Sequence, residues 1–273
     1  LKVLNMVMRV FIILSHNFKY DISISNGSDS AIYSSKIKRK KTITFGDNDT
    51  APHWIHGKFV DYAFFPNAIS KSYIESQYID SKRYYRYNGY KEDIYIADYI
   101  PDYKFFNKVP FNNYILIRPE NIQANYIKNG KIQSITPLLL KKLYNSKYNI
   151  IFLPRYESDK DYIKGMKNVF IPPKPLNGLD ACFYASAVIT GAGTLAREAA
   201  CLGVPAVSFY SGKQLLAVDK KMIREGRIFF SRDSQKILEY IKNSKKNNPD
   251  LERSKKVKEE VIKKIEEVID FFH

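Results

Sequence analysis

From residue 114 to residue 242 short β-branched or aromatic runs alternate with stretches of helical period, and this alternation limits the fold more than any other feature of the chain. Strands are expected at 114–117, 149–153, 169–171, 187–190, 205–209 and 227–230. Helices are expected at 137–144, 158–166, 179–185, 195–201, 214–224 and 234–242. Strands separated by helices pair in parallel, because a parallel pair needs a crossover that a hairpin cannot supply. The pattern therefore predicts a doubly wound α/β domain. Upstream, strands at 21–25, 41–45, 62–65 and 83–87, with a short helix at 73–78, predict a second parallel sheet. A Tyr- and Pro-rich stretch at 98–111 shows neither period and marks the boundary. The expected division is a first Rossmann-like domain over 1–100, a second over 101–245, and an amphipathic helix over 246–273. In that tail Val257, Val261, Ile265, Val268 and Phe272 recur at helical spacing and need an apolar partner.

The segment that carries chemistry is the glycine loop after the fourth strand of the second domain. Thr190 ends a buried run, and Gly191, Ala192, Gly193 and Thr194 lead into the next helix. Glycines at a strand-to-helix turn permit a sharp bend and let a ligand approach without a Cβ in the way. The first amides of the helix have no intrahelical partner and stabilise an anion, with Thr194 as the expected cap. Glu198 lies one helical turn on and can accept from a ribose diol, and Arg197 is a partner for a phosphate or a carboxylate. Gly203-Val204-Pro205 closes the helix. No Gly-Lys-Ser/Thr follows, so the loop is not a P-loop; nor does it sit on a first strand, as the dinucleotide fingerprint requires.

The 44 Lys and Arg against 28 Asp and Glu give a net charge of +16, which raises nucleic acid, an anionic membrane surface or a phosphorylated small molecule as partners. The charge is spread rather than blocked, and the tyrosines do not fall in stacking pairs on one strand, so a nucleic-acid-associated protein is the third reading. No apolar run approaches the roughly 20 residues that span a bilayer. Residues 1–14 are apolar with two basic residues; the preferred reading is a helix feeding the first strand rather than a signal-peptide core. Cys182 and Cys201 lie in apolar helical patterns and read as buried thiols of a reducing, cytoplasmic compartment.

Several other residues border strand ends. Asn26, Gly27 and Ser28 form a turn that opens a helix and offers contacts to a phosphate or sugar hydroxyl. The loop containing Asp47, Asp49, His53 and His56 follows the second strand; His53 is the candidate general base, with Asp47 or Asp49 to orient it. His53 and His56 lack a third ligand at a useful spacing, and the Asp-x-Asp spacings at 47–49 and 159–161 have no metal context, so no metal site is expected. Lys213 and Arg155 are candidates to neutralise a diphosphate.

The run Gly191-Ala-Gly-Thr-Leu-Ala-Arg-Glu-Ala-Ala-Cys-Leu-Gly-Val-Pro-Ala-Val-Ser-Phe-Tyr210 resembles the corresponding segment of the mostly archaeal domain-of-unknown-function family 354. So do Ile24-Ser-Asn-Gly-Ser28, Tyr87-Asn-Gly-Tyr-Lys-Glu92, Ile117-Arg-Pro119, Leu153-Pro-Arg-Tyr-Glu157 and Leu216-Ala-Val-Asp-Lys220. That family is similar to UDP-N-acetylglucosamine 2-epimerases and GT-B glycosyltransferases. The resemblance implies two Rossmann-like domains of GT-B type, the N-terminal one lacking its leading elements. It implies a nucleotide-activated sugar, UDP-linked, as substrate, held mainly by the second domain: Glu198 on the ribose and Arg118, at the end of that domain's first strand, beside the loop. No cofactor is expected. Transfer or epimerisation of a sugar, non-catalytic binding, and one part of a split enzyme or a homo-oligomer all remain open at this point.

Overall fold

The computed structural model describes residues 2–16, 18–121 and 133–272, which form two compact α/β units. The first comprises Leu1–Ile94, Leu216–Val218 and Lys255–His273, the second Tyr95–Leu215 and Asp219–Ser254. The chain thus changes unit between Ile94 and Tyr95, and most of the tail helix belongs with the first sheet.

In the first unit α1 (Lys2–Ser15) precedes β1 (Ile22–Asn26), α2 (Asp29–Ile37), β2 (Lys41–Phe45), α3 (Trp54–Gly57), β3 (Tyr62–Pro66), α4 (Lys71–Ser76), β4 (Tyr84–Tyr87) and α5 (Lys91–Ile96). The four described strands are parallel, in the order β1-β2-β3-β4. The expected 73–78 helix is shifted to α4, because Ser70 caps it by accepting from Tyr73 N and Tyr78 leaves the helix with φ +61°. The apolar stripe of the tail finds its partner here: Val257, Val261 and Val268 of α11 (Leu251–Phe272) pack with Ile43, Phe64 and Tyr87, and Ile265 and Phe272 flank them. This packing explains Gly89 in the Tyr87–Glu92 segment, where a Cβ would lie 2.5 Å from Val257 Cγ2. Glu260 fixes the register by accepting from Tyr85 Oη at 2.9 Å and Asn88 N at 3.2 Å.

The second unit runs β5 (Ile115–Arg118), α6 (Thr136–Asn145), β6 (Ile150–Phe152), β7 (Val169–Phe170), α7 (Gly178–Phe183), β8 (Ala187–Thr190), α8 (Gly193–Cys201), β9 (Ala206–Ser208), α9 (Ala217–Arg224), β10 (Ile228–Phe230) and α10 (Ser234–Asn243). Its six described strands are all parallel, ordered β10-β9-β8-β5-β6-β7. Ile115, Ile117, Ile150, Phe152, Ile189 and Val207 form the sheet core, covered by Leu139, Leu140 and Leu143 of α6 and Ile237 and Ile241 of α10. The expected 158–166 helix is instead a 3-10 run, Glu157–Ile163, entered through Asp159, whose carboxylate accepts from Arg155 N and Tyr156 N. Helix α9 begins three residues later than its pattern suggests. Among the described residues no helix is long and apolar enough to cross a membrane.

Candidate functional site

Strand order places the site. From β5 the chain moves outward through β6 to β7, then returns to lay β8 on the other side of β5. The crossovers diverge between β5 and β8, and open α/β sheets bind ligands outside the carboxyl ends of strands at such a point. Arg118 and Thr190, the last residues of the two strands, are register partners. Gly191 N donates to Arg118 O at 3.0 Å, so the glycine loop and Arg118 leave the sheet together.

The loop's glycines are needed for packing. Neither Gly191 nor Gly193 has a left-handed φ. A Cβ on Gly191 would come within 2.5 Å of Glu120 Cα and 2.8 Å of Glu120 N, and one on Gly193 within 2.9 Å of Arg197 Nη1. Residue 191 is glycine because the chain leaving β5 passes directly over it. The expected cap is also corrected: α8 starts at Gly193 with Ala192 as its N-cap, no side chain caps it, and Thr194 lies exposed in the first turn. Thr190 Oγ1 accepts from Ala192 N at 2.9 Å, which ties the loop back to its strand and leaves the first-turn amides without a side-chain cap.

The adjacent charges on α8 diverge. Arg197 is 3% exposed and donates from Nη1 to Asp219 Oδ1, in the first turn of α9, at 2.7 Å. It is a buried brace under the loop, not the ligand-facing cation its position in the motif suggests. Glu198 is half-buried and accepts from Tyr95 Oη at 2.8 Å. Lys213 is exposed in the segment before α9, and Arg155 Nε donates to Pro119 O at 2.8 Å.

Sequence reasoning missed Glu120, two residues after Arg118. Its side chain is fully buried, accepts from Ser134 Oγ at 2.6 Å, Thr136 Oγ1 at 2.8 Å and Ile135 N at 3.2 Å, and pairs with Arg232 at 3.3 Å. It thereby anchors the start of α6 beneath the glycine loop.

A cavity of about 540 Å³ opens at the carboxyl ends of β5, β6 and β7. Arg118, Lys160 and Lys174 supply its positive charge; Pro154, Ile171 and Leu195, the last in the first turn of α8, supply apolar surface. Arg118 Nε is buried and has no hydrogen-bond partner among the described residues. A buried guanidinium nitrogen without a partner is costly, which marks Arg118 as a residue held in place at some expense beside the cavity it lines. A second cavity of about 440 Å³, lined by Gly203, Gly226, Arg227 and Arg253, lies at the opposite, amino-terminal edge of the sheet. Helix carboxyl ends meet there, and Arg227 donates to Ala200 O at the end of α8, so its cations offset helix dipoles. That balance makes it a weaker anion site.

In the first unit, Gly27 has φ +62° and donates its N–H to Thr44 Oγ1, while Ser28 caps α2 by accepting from Ala31 N. With Asn26 ending β1, the segment is a capped turn. The acid–base arrangement expected around His53 does not form. Asp49 accepts from Ala217 N at 2.9 Å and Asp47 pairs with Lys91 at 2.7 Å. His53, 7% exposed, bonds through Nε2 to Asn48 O at 3.0 Å, and His56 takes Asp29 as its partner. Desolvation, reinforced by His56, holds the His53 pKa below its ordinary value.

A group neutral in the folded state but protonated more readily when unfolded stabilises the fold fully above its unfolded pKa, about 6.5 for histidine. That contribution is lost as pH falls from there through the lower folded value. Stability in urea is therefore expected to fall from pH 7.5 to pH 5, with a shallower fall in His53→Phe; parallel profiles for the two proteins would show that His53 is not the titrating group.

The model of the family "Protein of unknown function (DUF354)" matches residues 35–270. An uncharacterized protein of Methanocaldococcus jannaschii is 31% identical over 134 residues, 49% of this chain and 38% of that protein, so the match spans well under half of that relative's length. Among solved structures, the UDP-GlcNAc 2-epimerase of Methanocaldococcus jannaschii superposes with a TM-score of 0.64 at 14% identity, over 95% of this chain and 80% of that one. The same organism's epimerase in complex with UDP-GlcNAc and UDP gives 0.63 at 15% identity, over 90% and 75%. The glycotransferase of kitacinnamycin gives 0.55 at 10% identity, over 93% and 76%. At these identities the likeness is one of fold, two parallel α/β sheets as in GT-B epimerases and glycosyltransferases. With its model matched over most of the sequence, the chain belongs to the DUF354 family.

Proposed function

We propose that the second unit binds a nucleotide-activated sugar of the UDP type at the carboxyl edge of its sheet. The observation that carries this reading is Arg118, at the switch point, which lines a cavity of about 540 Å³ and has a buried Nε without a partner among the described residues. The uncapped first turn of α8 supplies amides for a diphosphate, and its Leu195 lines the same cavity. Glu198 takes a ribose hydroxyl in place of, or beside, the Tyr95 hydroxyl it now accepts. The fold relatives include an epimerase in complex with UDP-GlcNAc and UDP.

For glycosyl transfer or sugar epimerisation the same groups stabilise charge that develops on the diphosphate, with Lys213 as a mobile contributor. Binding has more support than turnover, because His53 is held on a backbone carbonyl and neither Asp47 nor Asp49 orients it. The test is calorimetric titration with UDP, UDP-sugars, GDP and CDP. UDP compounds are expected to bind selectively, and Arg118→Met to weaken them about tenfold to a hundredfold, as for a lost charged hydrogen bond. Equal binding by Arg118→Met would sink the site. Binding only to duplex DNA, falling steeply with salt, would favour the charge-driven reading instead.

A further inference from the structure

The nucleotide reading makes little use of the net charge of +16, and the topology shows where part of that charge gathers. The six described strands of the second unit are parallel, so every connection that runs from a helix into a strand meets the same amino-terminal edge. Exposed lysines stand in those connections, in the 3-10 run Tyr103–Lys108 that leads to β5, and in the segment after α10: Lys104, Lys108, Lys147, Lys167, Lys245 and Lys246. The acids beside them are engaged. Glu225 pairs with Lys221, Asp250 accepts from Arg253 N at the start of α11, and Asp102 accepts from Lys104 N. Helix dipoles do not account for these lysines. The cations that answer the dipoles stand inside the last turns, Lys142 of α6, Arg224 of α9 and Lys242 of α10, and the effect fades beyond the last turn.

Apolar side chains stand beside this charge. Tyr99 Oη donates to Asp180 Oδ1 at 2.7 Å and Asp102 N to the same oxygen at 3.2 Å, which ties the segment between α5 and β5 down on α7. Ile100 and Tyr103 project from that tied segment, 84% and 80% exposed. The Tyr103 ring lies 6.0 Å from Tyr184, Tyr184 packs on Phe183, and Lys246 Nζ lies 4.3 Å over the Phe183 ring. Lys147 and Ser244, the neighbour of Lys245, line one cavity of about 200 Å³. Lysines and exposed apolar side chains thus share one surface.

We propose that the amino-terminal edge of the second unit is a docking surface for an anionic lipid bilayer. Lysines reach lipid phosphates as point charges, and a tyrosine and an isoleucine projecting beside them enter the headgroup boundary. A nucleic acid would engage the lysines but leave Ile100 without a partner, and the six exposed cations carry no guanidinium fork to grip phosphates in pairs. Docking by this edge leaves the carboxyl edge, at the other end of the same strands, facing away from the bilayer. The proposal does not depend on whether UDP binds there.

The test is co-sedimentation of the full chain with vesicles of phosphatidylcholine alone and of phosphatidylcholine mixed with phosphatidylglycerol, over a series of salt concentrations, beside fluorescence anisotropy with a short DNA duplex. Binding to the mixed vesicles and not to the neutral ones is expected. A chain of this charge attracts any anionic surface, so the variants decide the face. Lys147→Gln/Lys245→Gln is expected to weaken vesicle binding about tenfold or more, since a lysine at the lipid surface contributes about fivefold. Lys71→Gln/Lys82→Gln, which removes two exposed lysines of the first unit, is expected to weaken it no more than about twofold, because salt screens charges held away from the surface. Ile100→Ser/Tyr103→Ser is expected to lower the affinity and steepen its salt dependence. Equal losses from the two lysine pairs would overturn the proposal, as would no binding to mixed vesicles or an unchanged affinity in Ile100→Ser/Tyr103→Ser. Tighter binding to the duplex than to mixed vesicles at the same salt would overturn it in favour of nucleic acid. The substituted side chains are all exposed, and cooperative urea unfolding checks that each variant is folded. Lys147→Gln/Lys245→Gln is expected to titrate with UDP as the wild type does, so the docking surface and the nucleotide site fail separately.

Discussion

Replacing Arg197 by methionine is expected to destabilise the second unit by about 3–5 kcal/mol, the cost of removing one partner from a buried ion pair. Arg197 and Asp219 are 3% and 6% exposed, and 2.7 Å separates Nη1 from Oδ1. Without the guanidinium, Asp219 keeps a desolvated charge beside the first turn of α9, where the helix dipole offsets part of it. Methionine retains most of the apolar stem, so the loss reports the charge rather than a cavity. The measurement is urea unfolding by circular dichroism, beside Arg197→Met/Asp219→Leu. The double variant is expected to recover most of the loss, because an apolar pair of similar volume can replace a buried ion pair at little cost. A single variant within about 1 kcal/mol of wild type would mean that the pair does not brace the loop. Gly193 lies against the guanidinium, so the single variant should also weaken UDP binding through the displaced first turn of α8.

The fate of Arg197 shows where local reading stops. The two sheets were legible because strand and helix periods are local, and because parallel pairing follows from their alternation. The glycine loop was legible as a strand-to-helix turn for the same reason. Which of two adjacent charges on α8 points inward was not legible. Successive helical residues face directions about 100° apart, and the inward one was decided by Asp219, 22 residues away. The pairing of Asp49 with His53 rested on closeness in sequence, yet the loop turns Asp49 to Ala217 N, 168 residues on. Gly89 looked like part of a motif; its constraint is Val257, on a helix at the far end of the chain. Long-range partners set each of these side chains, and no local pattern encodes them.

Glu120 is the extreme case and carries the second large expected effect. In sequence it is one carboxylate in Arg-Pro-Glu-Asn, indistinguishable from a solvated loop residue. In the fold its buried carboxylate gathers two hydroxyls and a backbone amide from residues 134–136 and the guanidinium of Arg232. Glu120→Ala removes the acceptor for all four. Arg232 keeps Phe209 O and Gln133 O, but Ser134, Ile135 N and Thr136 lose this carboxylate at the start of α6. The expected loss is about 1–3 kcal/mol for each buried donor left without an acceptor, Thr136 above all; Arg232, whose side chain is 28% exposed, adds little. Glu120→Gln keeps the shape and one carbonyl acceptor, so it should lose less than Glu120→Ala and more than a surface substitution, which is usually within about 0.5 kcal/mol. The functional consequence follows from position. Glu120 underlies Gly191 and lies two residues from Arg118, so releasing it loosens both walls of the switch point. Glu120→Gln is therefore expected to bind UDP more weakly even at temperatures where it is fully folded. If it is destabilised but binds UDP with wild-type affinity, Glu120 serves the core alone, and the carboxyl edge is held in shape by the sheet without it.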